Sequence, residues 1–470
     1  MGPMKIVAIE PKNVRIHVFS AFKLPRLAMP LLGTILRNEG HEVKVFLEEL
    51  CPIDEEAVKE ADLVLISTIT STALRAYKLA DRYRQEFGKK VVMGGVHVSF
   101  VPDEAIAHCD FVIRGEGDET IVELVKAIEA GGPFDHIPGL TWRNNGEVVH
   151  NPPAKSVVNL DNLPIPDFTL IPGVRPEKMR IYPMMTSRGC PHACVFCSVA
   201  PMFGRHYRFR AKELLLEELA RIPKGQHVFF YDDNFTAHRR RTKELLEGMV
   251  RQGFKGTWSA QVRIDIYKDK ELLELMKKSN CFLVYVGIES INPETLKSYK
   301  KGLTYQEILE GVQVLHKYGI RIHGMFVIGA DTDTPESIQA TLDFAKDVRL
   351  DSVQFLVLTP IPGSVLYENW HEEGRVFSTQ WDLYDGHHVV FHPRNLTLTQ
   401  LQKEEFRLHR EFYSLREAAK FLMRGDLWGA YIRYIGRKYV RQWIKENEDY
   451  FEKLQELESR FAVSPVGQVG

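Results

Sequence analysis

Short apolar runs alternate with amphipathic stretches in two long series, and nothing else in the chain restricts its fold as much. In the first series the runs fall at 5–9, 42–46, 62–66, 90–93 and 111–113, with helix-like segments at 26–39, 73–87, 103–108 and 118–130 between them. Alternating β and α of this length predicts an α/β domain with a doubly wound parallel sheet. In the second series strands are expected at 184–187, 228–231, 258–262, 283–288, 322–328 and 353–358, and helices near 212–221, 239–253, 270–278, 305–318 and 335–348. Six strands are too few for a full eight-stranded barrel. The predicted organisation is therefore a first domain at 1–135, a hairpin and proline-rich linker at 136–175, a second α/β domain at 176–390 and a helical C-terminal region at 391–470.

The loop after the first strand of the second series carries Cys190, Cys194 and Cys197. Their spacing can hold three corners of an iron–sulfur cube and leave the fourth iron without a protein ligand, although such clusters are usually held by four thiolates. Two alternatives stay open. A zinc ion could use the three thiolates with His192, and three buried thiols could be simply structural. Cys51, Cys109 and Cys281 are single and scattered, so they are expected to be reduced, mostly buried thiols.

Ligands of such sheets bind at the carboxyl ends of the strands, and those ends are polar here. In the first series they carry the hydroxyls Ser67, Thr68 and Thr70, then Gly94, Gly95 and His97, then Gly115, Glu116 and Gly117. Glycine lets a backbone approach a ligand and hydroxyls supply hydrogen bonds, but ordinary βα turns with capped helices use the same residues. In the second series the ends carry Asp232 and Asp233, Gln261 and Arg263, Glu289, Val327 and Ile328, and Thr359. Carboxylates suit an ammonium group and ribose hydroxyls, while arginine suits a carboxylate. Helix caps and ion pairs are the competing uses.

Charge is balanced, 61 basic against 62 acidic residues in 470, so nucleic acid is not indicated as a partner. No basic segment followed by an apolar run opens the chain, and no stretch approaches the ~18–20 apolar residues of a membrane span. Six cysteines without a framework suit a reducing cytoplasm.

Cys190, Cys194, Phe196 and Cys197 match the CxxxCxxC signature, with an aromatic before the last cysteine, of the radical S-adenosylmethionine (radical SAM) superfamily, which the chain resembles. The six strands fit the open (β/α)6 barrel of that superfamily. The resemblance implies a [4Fe–4S] cluster whose open iron is chelated by SAM, and reductive cleavage of SAM to a 5′-deoxyadenosyl radical. It also implies that Asp232 or Asp233 approaches the SAM amino group, Arg263 its carboxylate and Glu289 its ribose. Gln261 and Thr359 would add further contacts, and Val327 and Ile328 would line the adenine. A one-electron donor such as flavodoxin or ferredoxin is implied as partner.

GGxH at 94–97, RGEGDET at 114–120 and the downstream cluster motif together resemble B12-dependent radical SAM enzymes. This implies a Rossmann-like domain that takes the nucleotide tail of cobalamin among Ser67, Thr68, Thr70, Gly94, Gly95, His97, Gly115, Glu116 and Gly117. The DxHxxG motif that supplies a lower cobalt ligand in many B12 proteins does not occur in the chain, and His17, which lies in the corresponding loop, is expected to be an ordinary loop residue.

The tail is expected to form helices at 400–424 and 427–457. The second has an apolar stripe of Trp428, Ile432, Ile435, Tyr439 and Trp443, with Arg433, Arg437, Arg441 and Lys445 as a solvated basic edge. A tail of this composition suits a small hydrophobic or lipid-like substrate, and its basic edge suits peripheral contact with a membrane. The expected activity is methylation of an unactivated carbon. Radical cyclisation or oxidation, as in the anaerobic cyclase of bacteriochlorophyll synthesis with the same domain order, is the enzymatic alternative. A non-catalytic cobalamin or iron–sulfur sensor is the remote one.

Overall fold

The computed structural model describes residues 2–15, 24–157 and 159–463; His17 lies outside them. The first series forms five parallel strands, β1 (Lys5–Glu10), β2 (Glu42–Leu47), β3 (Leu63–Ser67), β4 (Lys90–Gly94) and β5 (Phe111–Ile113). Helices α1 (Ala28–Asn38), α2 (Ala73–Gln85) and α3 (Thr120–Ala130) cover them. The central strands are mostly apolar rather than alternating because parallel strands are buried on both faces, while the edge strand β2 alternates through Glu42, Val43 and Lys44 before its buried end. Ile6, Val7, Ala8 and Ile9 of β1 are all buried, and each large aliphatic among them stabilises by roughly 1.5–3 kcal/mol.

Strand order is β2-β1-β3-β4-β5-β6-β7, where β6 (Leu140–Asn144) and β7 (Glu147–His150) are the expected hairpin. The hairpin, anticipated within the linker, is hydrogen-bonded antiparallel to β5 and extends the sheet. The order reverses between β1 and β3, which places the ligand crevice of the fold at the carboxyl ends of those strands. Ser67 lies opposite Gly94 in the β3–β4 register, so the hydroxyl-rich loop and the glycine pair emerge side by side. The helix expected at 103–108 is a single short turn, Pro102–Ala105, opened by Pro102 just after a separate short helix at Val96–Phe100.

The second series forms a six-stranded all-parallel sheet from β8 (Ile181–Met184) through β11 (His227–Phe230), β12 (Thr257–Val262), β13 (Cys281–Glu289) and β14 (Arg321–Ile328) to β15 (Ser352–Val357). Helices α4 (Lys212–Arg221), α5 (Arg239–Arg251), α6 (Lys270–Lys278), α7 (Tyr305–Lys317) and α8 (Pro335–Asp347) lie in the connections. Side chains start several of them, with Asp269, Thr304 and Thr334 accepting hydrogen bonds from the first-turn amides. The strand expected at 184–187 ends at Met184. The chain then leaves the sheet, and β9 (Ser187–Arg188) pairs antiparallel with β10 (Arg208–Phe209).

The tail forms four helices instead of two: α9 (Leu398–Phe412), α10 (Leu415–Met423), α11 (Leu427–Glu446) and α12 (Glu448–Val463). Ser414 interrupts the first expected helix by capping α10. Asn447 interrupts the second, tied through its side chain to Trp443 O at 2.7 Å and His388 Nε2 at 2.7 Å. Arg433, expected on the solvated edge, is fully buried. It donates to the carbonyls of Leu350 at 2.8 Å and Asp351 at 3.0 Å, and its guanidinium lies 3.5 Å from the centre of the Phe421 ring. The carbonyls satisfy the charge that burial would otherwise exclude.

His387, Glu405 and His409 place their ligand-type atoms within 4.8 Å of one another beneath this tail. His409 Nε2 accepts from Phe355 N at 3.3 Å, so Nδ1 carries the hydrogen and turns it toward Glu405. The three residues thus brace α9 against β15 as a hydrogen-bonded set rather than presenting lone pairs to an ion. No helix among the described residues is long and apolar enough to cross a membrane.

Candidate active site

The β9–β10 pairing closes the loop that holds the three cysteines at the carboxyl end of β8. Gly189 opens the loop at φ +87°, and a Cβ there would stand 2.7 Å from His206 O, so only glycine fits. Cys197 N donates to Cys194 O at 3.1 Å, and Val199 N approaches Cys197 Sγ at 3.5 Å. All three thiols are partly exposed and unpaired. Burial raises the pKa of Cys190, and raises that of Cys197 to about 12, so a bound metal is what would draw off their protons.

The donor set separates the two metal readings. Three thiolates on one zinc at about 2.3 Å would be about 3.8 Å apart. Among the described residues, only His387, Glu405 and His409 converge within 4.8 Å; the three cysteines do not, with or without His192. The thiols are therefore not preset around a single zinc ion. Phe196 fixes the loop from below, its ring edge-on to Tyr299 at 5.2 Å.

Five strand ends face this loop. The neighbours Asp232 and Asp233 diverge. Asp232 is buried and accepts from Thr186 N at 3.3 Å, Thr186 Oγ1 at 2.8 Å and Ser187 Oγ, which is what draws the chain off β8. Its capacity is therefore spent inside the protein. Asp233 is exposed in area but enclosed by protein, and desolvation, with Asp232 adding like-charge repulsion, raises its pKa to about 7. Asp233 and Arg263 both act electrostatically on Cys190, so they share the mouth of the barrel with the cysteines.

A carboxyl whose folded pKa is raised lowers stability progressively as pH rises from its unfolded value near 4 to its folded value near 7. Asp233→Asn is therefore expected to raise the denaturation midpoint of the cofactor-free protein. The gain should be largest above pH 7 and shrink as pH falls toward 4. A gain independent of pH would contradict the assignment.

Arg263 donates through Nη2 to Lys301 O at 3.0 Å, while its Nε has no hydrogen-bond partner among the described residues and lies 3.5 Å from Asp265 Oδ2. Glu289 sits at φ +64° and is held by Lys301 Nζ at 2.9 Å. Gln261 is half-buried, and its carbonyl accepts from Phe235 N at 2.9 Å. Val327 and Ile328 are buried on β14, and buried Thr359 donates to Val357 O at 2.9 Å. Sequence reasoning missed Lys301 and Tyr299. Tyr299 is buried behind Phe196, with a hydroxyl unpaired among the described residues. Only the unbalanced lysine pair Lys300–Lys301 hinted at either.

In the first domain Thr68 N and Oγ1 donate to Gly94 O at 2.8 and 3.0 Å. Gly95 has φ +100°, and a Cβ there would stand 2.4 Å from Thr68 O. Gly95→Ala should destabilise the domain by at least about 2 kcal/mol, read as a lower denaturation midpoint, and an unchanged midpoint would contradict the close approach. His97 is fully buried with both ring nitrogens unpaired among the described residues; Nε2 is 4.0 Å from Glu104 Oε1, and desolvation lowers its pKa to about 3. The Thr70 hydroxyl is likewise buried and unpaired. Trp381 from beyond the barrel meets the His97 ring edge-on at 5.0 Å. Orphaned polar atoms beside a glycine cradle fit a polar ligand tail, so the residues present suit cobalamin.

Gly115, at φ +82°, donates to Ser99 Oγ at 3.0 Å, and Gly117 follows it in the same turn. Glu116 between them has another use. It is buried against Arg188 at 3.2 Å and against Arg208, and accepts from Val157 N at 3.1 Å. Asp118 takes Arg188 in a fork at 2.6 and 2.9 Å. Arg188 stands two residues before Cys190, so this buried ion-pair set binds the strand-end loop of the first domain to the cysteine loop of the second.

Comparison with known proteins agrees with this geometry. Residues 184–345 match the Radical SAM superfamily, and residues 18–125 match the B12 binding domain. An uncharacterized methyltransferase of Pyrococcus horikoshii is 33% identical over 405 residues, covering 83% of this chain and 88% of the relative. Bacteriochlorophyllide d C-12(1)-methyltransferase of Chlorobaculum tepidum is 32% identical, covering 82% of each. The radical SAM methyltransferase TsrM of Kitasatospora setae, solved with cobalamin and a [4Fe-4S] cluster bound, has the same fold, with a TM-score of 0.67 at 21% identity over 79% of this chain and 78% of that one.

Proposed function

Since the chain belongs to the radical SAM superfamily, in the branch whose barrel follows a B12 binding domain, we propose that it methylates an unactivated carbon of a small hydrophobic or lipid-like molecule. It is an enzyme, with a [4Fe–4S] cluster, SAM and cobalamin as cofactors. When bound, the cluster and SAM supply a hydrogen-abstracting radical, and cobalamin supplies the methyl group.

The protein's part is to bind, orient and exclude water. Cys190, Cys194 and Cys197 hold the cluster. Asp233 receives the ammonium group of SAM and Arg263 its carboxylate. Glu289, aimed by Lys301, takes the ribose, Gln261 and Thr359 add polar contacts, and Val327 and Ile328 give the adenine an apolar wall. Ser67, Thr68, Thr70, Gly94, Gly95, His97, Gly115 and Gly117 take the cobalamin tail. Glu116 serves both cofactors by joining their loops.

What supports this reading is that join, which ties the 115–117 loop of the first domain to the segments flanking the cysteine loop. A flavodoxin or ferredoxin is the proposed reductant, a reducing cytoplasm the proposed compartment, and peripheral contact with a membrane the proposed route to a lipid-like substrate. Incubation of the reduced, reconstituted protein with methyl-labelled SAM tests the chemistry. Methyl transfer yields S-adenosylhomocysteine together with 5′-deoxyadenosine. 5′-Deoxyadenosine alone would favour cyclisation or oxidation, and no SAM cleavage would favour a sensor.

A further inference from the structure

Of the large apolar side chains exposed among the described residues, half sit within residues 415–434: Leu415, Leu422, Met423, Leu427, Tyr431 and Tyr434, each 53–80% exposed. They belong to the α10–α11 hairpin. On α11 the exposed positions 427, 431, 434, 438, 441 and 445 recur at steps of four and three, which is one face of a helix, with exposed Gln442 and Glu446 beside its last turn. That face changes character along its length. Its first half is Leu427, Tyr431 and Tyr434, and its second half is Lys438, Arg441 and Lys445. On α10, Leu415, Leu422 and Met423 lie at the same helical spacing, flanked by exposed Arg416 and Arg424.

The opposite face of α11 is already packed, with Arg433, Val440 and Trp443 buried. Two of the three acids of the hairpin are used internally, and the third, Glu446, is exposed at the end of α11, where it accepts from Gln442 Nε2 at 2.9 Å. Glu417 is buried and pairs with Lys420 at 2.7 Å, and Asp426 caps Gly429 N at 2.9 Å. What remains outward is an aliphatic and aromatic tip beside a cationic band. A bilayer of anionic lipid is complementary to both parts, taking the tip at the headgroup boundary and the band at the phosphates. The hairpin does not have the length or apolarity to span.

We propose that the α10–α11 hairpin docks the enzyme on anionic membrane surfaces. This deepens the membrane contact proposed above and rests on that part of the reading alone, since docking needs neither cluster nor cobalamin. The full-length holoenzyme is sedimented with vesicles of phosphatidylcholine alone and with vesicles containing phosphatidylglycerol. It should pellet with the second and be released by salt.

Leu427→Ser with Tyr431→Ser, both exposed, should abolish pelleting without altering circular dichroism or SAM cleavage. Lys438→Glu with Arg441→Glu and Lys445→Glu should weaken it at least about a hundredfold. No pelleting with either vesicle, or equal binding to both, would overturn the proposal. So would a dimer in light scattering that L427S/Y431S converts to monomer, because a second copy would then be the occupant. None of these results bears on the methylation reading, which stands on its own products.

Discussion

Replacing Cys190, Cys194 or Cys197 with alanine, one at a time, is expected to abolish reductive SAM cleavage and to remove the broad iron–sulfur absorption of the anaerobic protein. Among the described residues no other cysteine lies in this loop. Cys281, a half-buried thiol, starts β13 at the end away from the cysteine loop. The loop is held independently by Gly189, by the β9–β10 pair and by Leu366 N donating to Val195 O at 2.9 Å, so the variants should remain folded. Circular dichroism checks that. Retained cleavage in any of the three would refute the cluster assignment.

The second large effect is expected at Glu116. Its side chain is 2% exposed and faces Arg188 and Arg208, which are 12% and 11% exposed. Removing one partner of a buried ion pair leaves the other charge without compensation, a loss of about 3–5 kcal/mol. Glu116→Gln should therefore lower the denaturation midpoint strongly. Arg208 would suffer more than Arg188, because Arg188 keeps its fork to Asp118 while Arg208 is left with the carbonyls of Val157 and Phe203. Asp118→Asn should have the smaller effect. An unchanged midpoint in Glu116→Gln would mean that the ion-pair set does not join the domains.

The fold was legible where a single period governs the chain. Parallel strands buried on both faces read as apolar runs, so Ile6–Ile9 and Leu63–Ile66 announced themselves. The site was legible at the level of strand ends, because polar residues immediately after an apolar run are conspicuous. Long-range pairing was hidden. Glu116 and Arg208 are 92 residues apart, and Glu289 and Lys301 are separated by a turn that only the folded chain closes. Two neighbours such as Asp232 and Asp233 cannot be told apart by sequence, since which one turns inward depends on Thr186 and Ser187 across the sheet. Arg433 recurs at the same four-residue spacing as its solvated neighbours, and only the carbonyls at the end of α8 account for its burial. The break at Asn447 depends likewise on His388.

Metal analysis of the anaerobically purified protein, made with cobalamin available, tests the central claim of two adjoining cofactors most directly. About four iron and about one cobalt per chain are expected, with cobalamin bands beside the cluster absorption. About one zinc per chain without cobalt would contradict it.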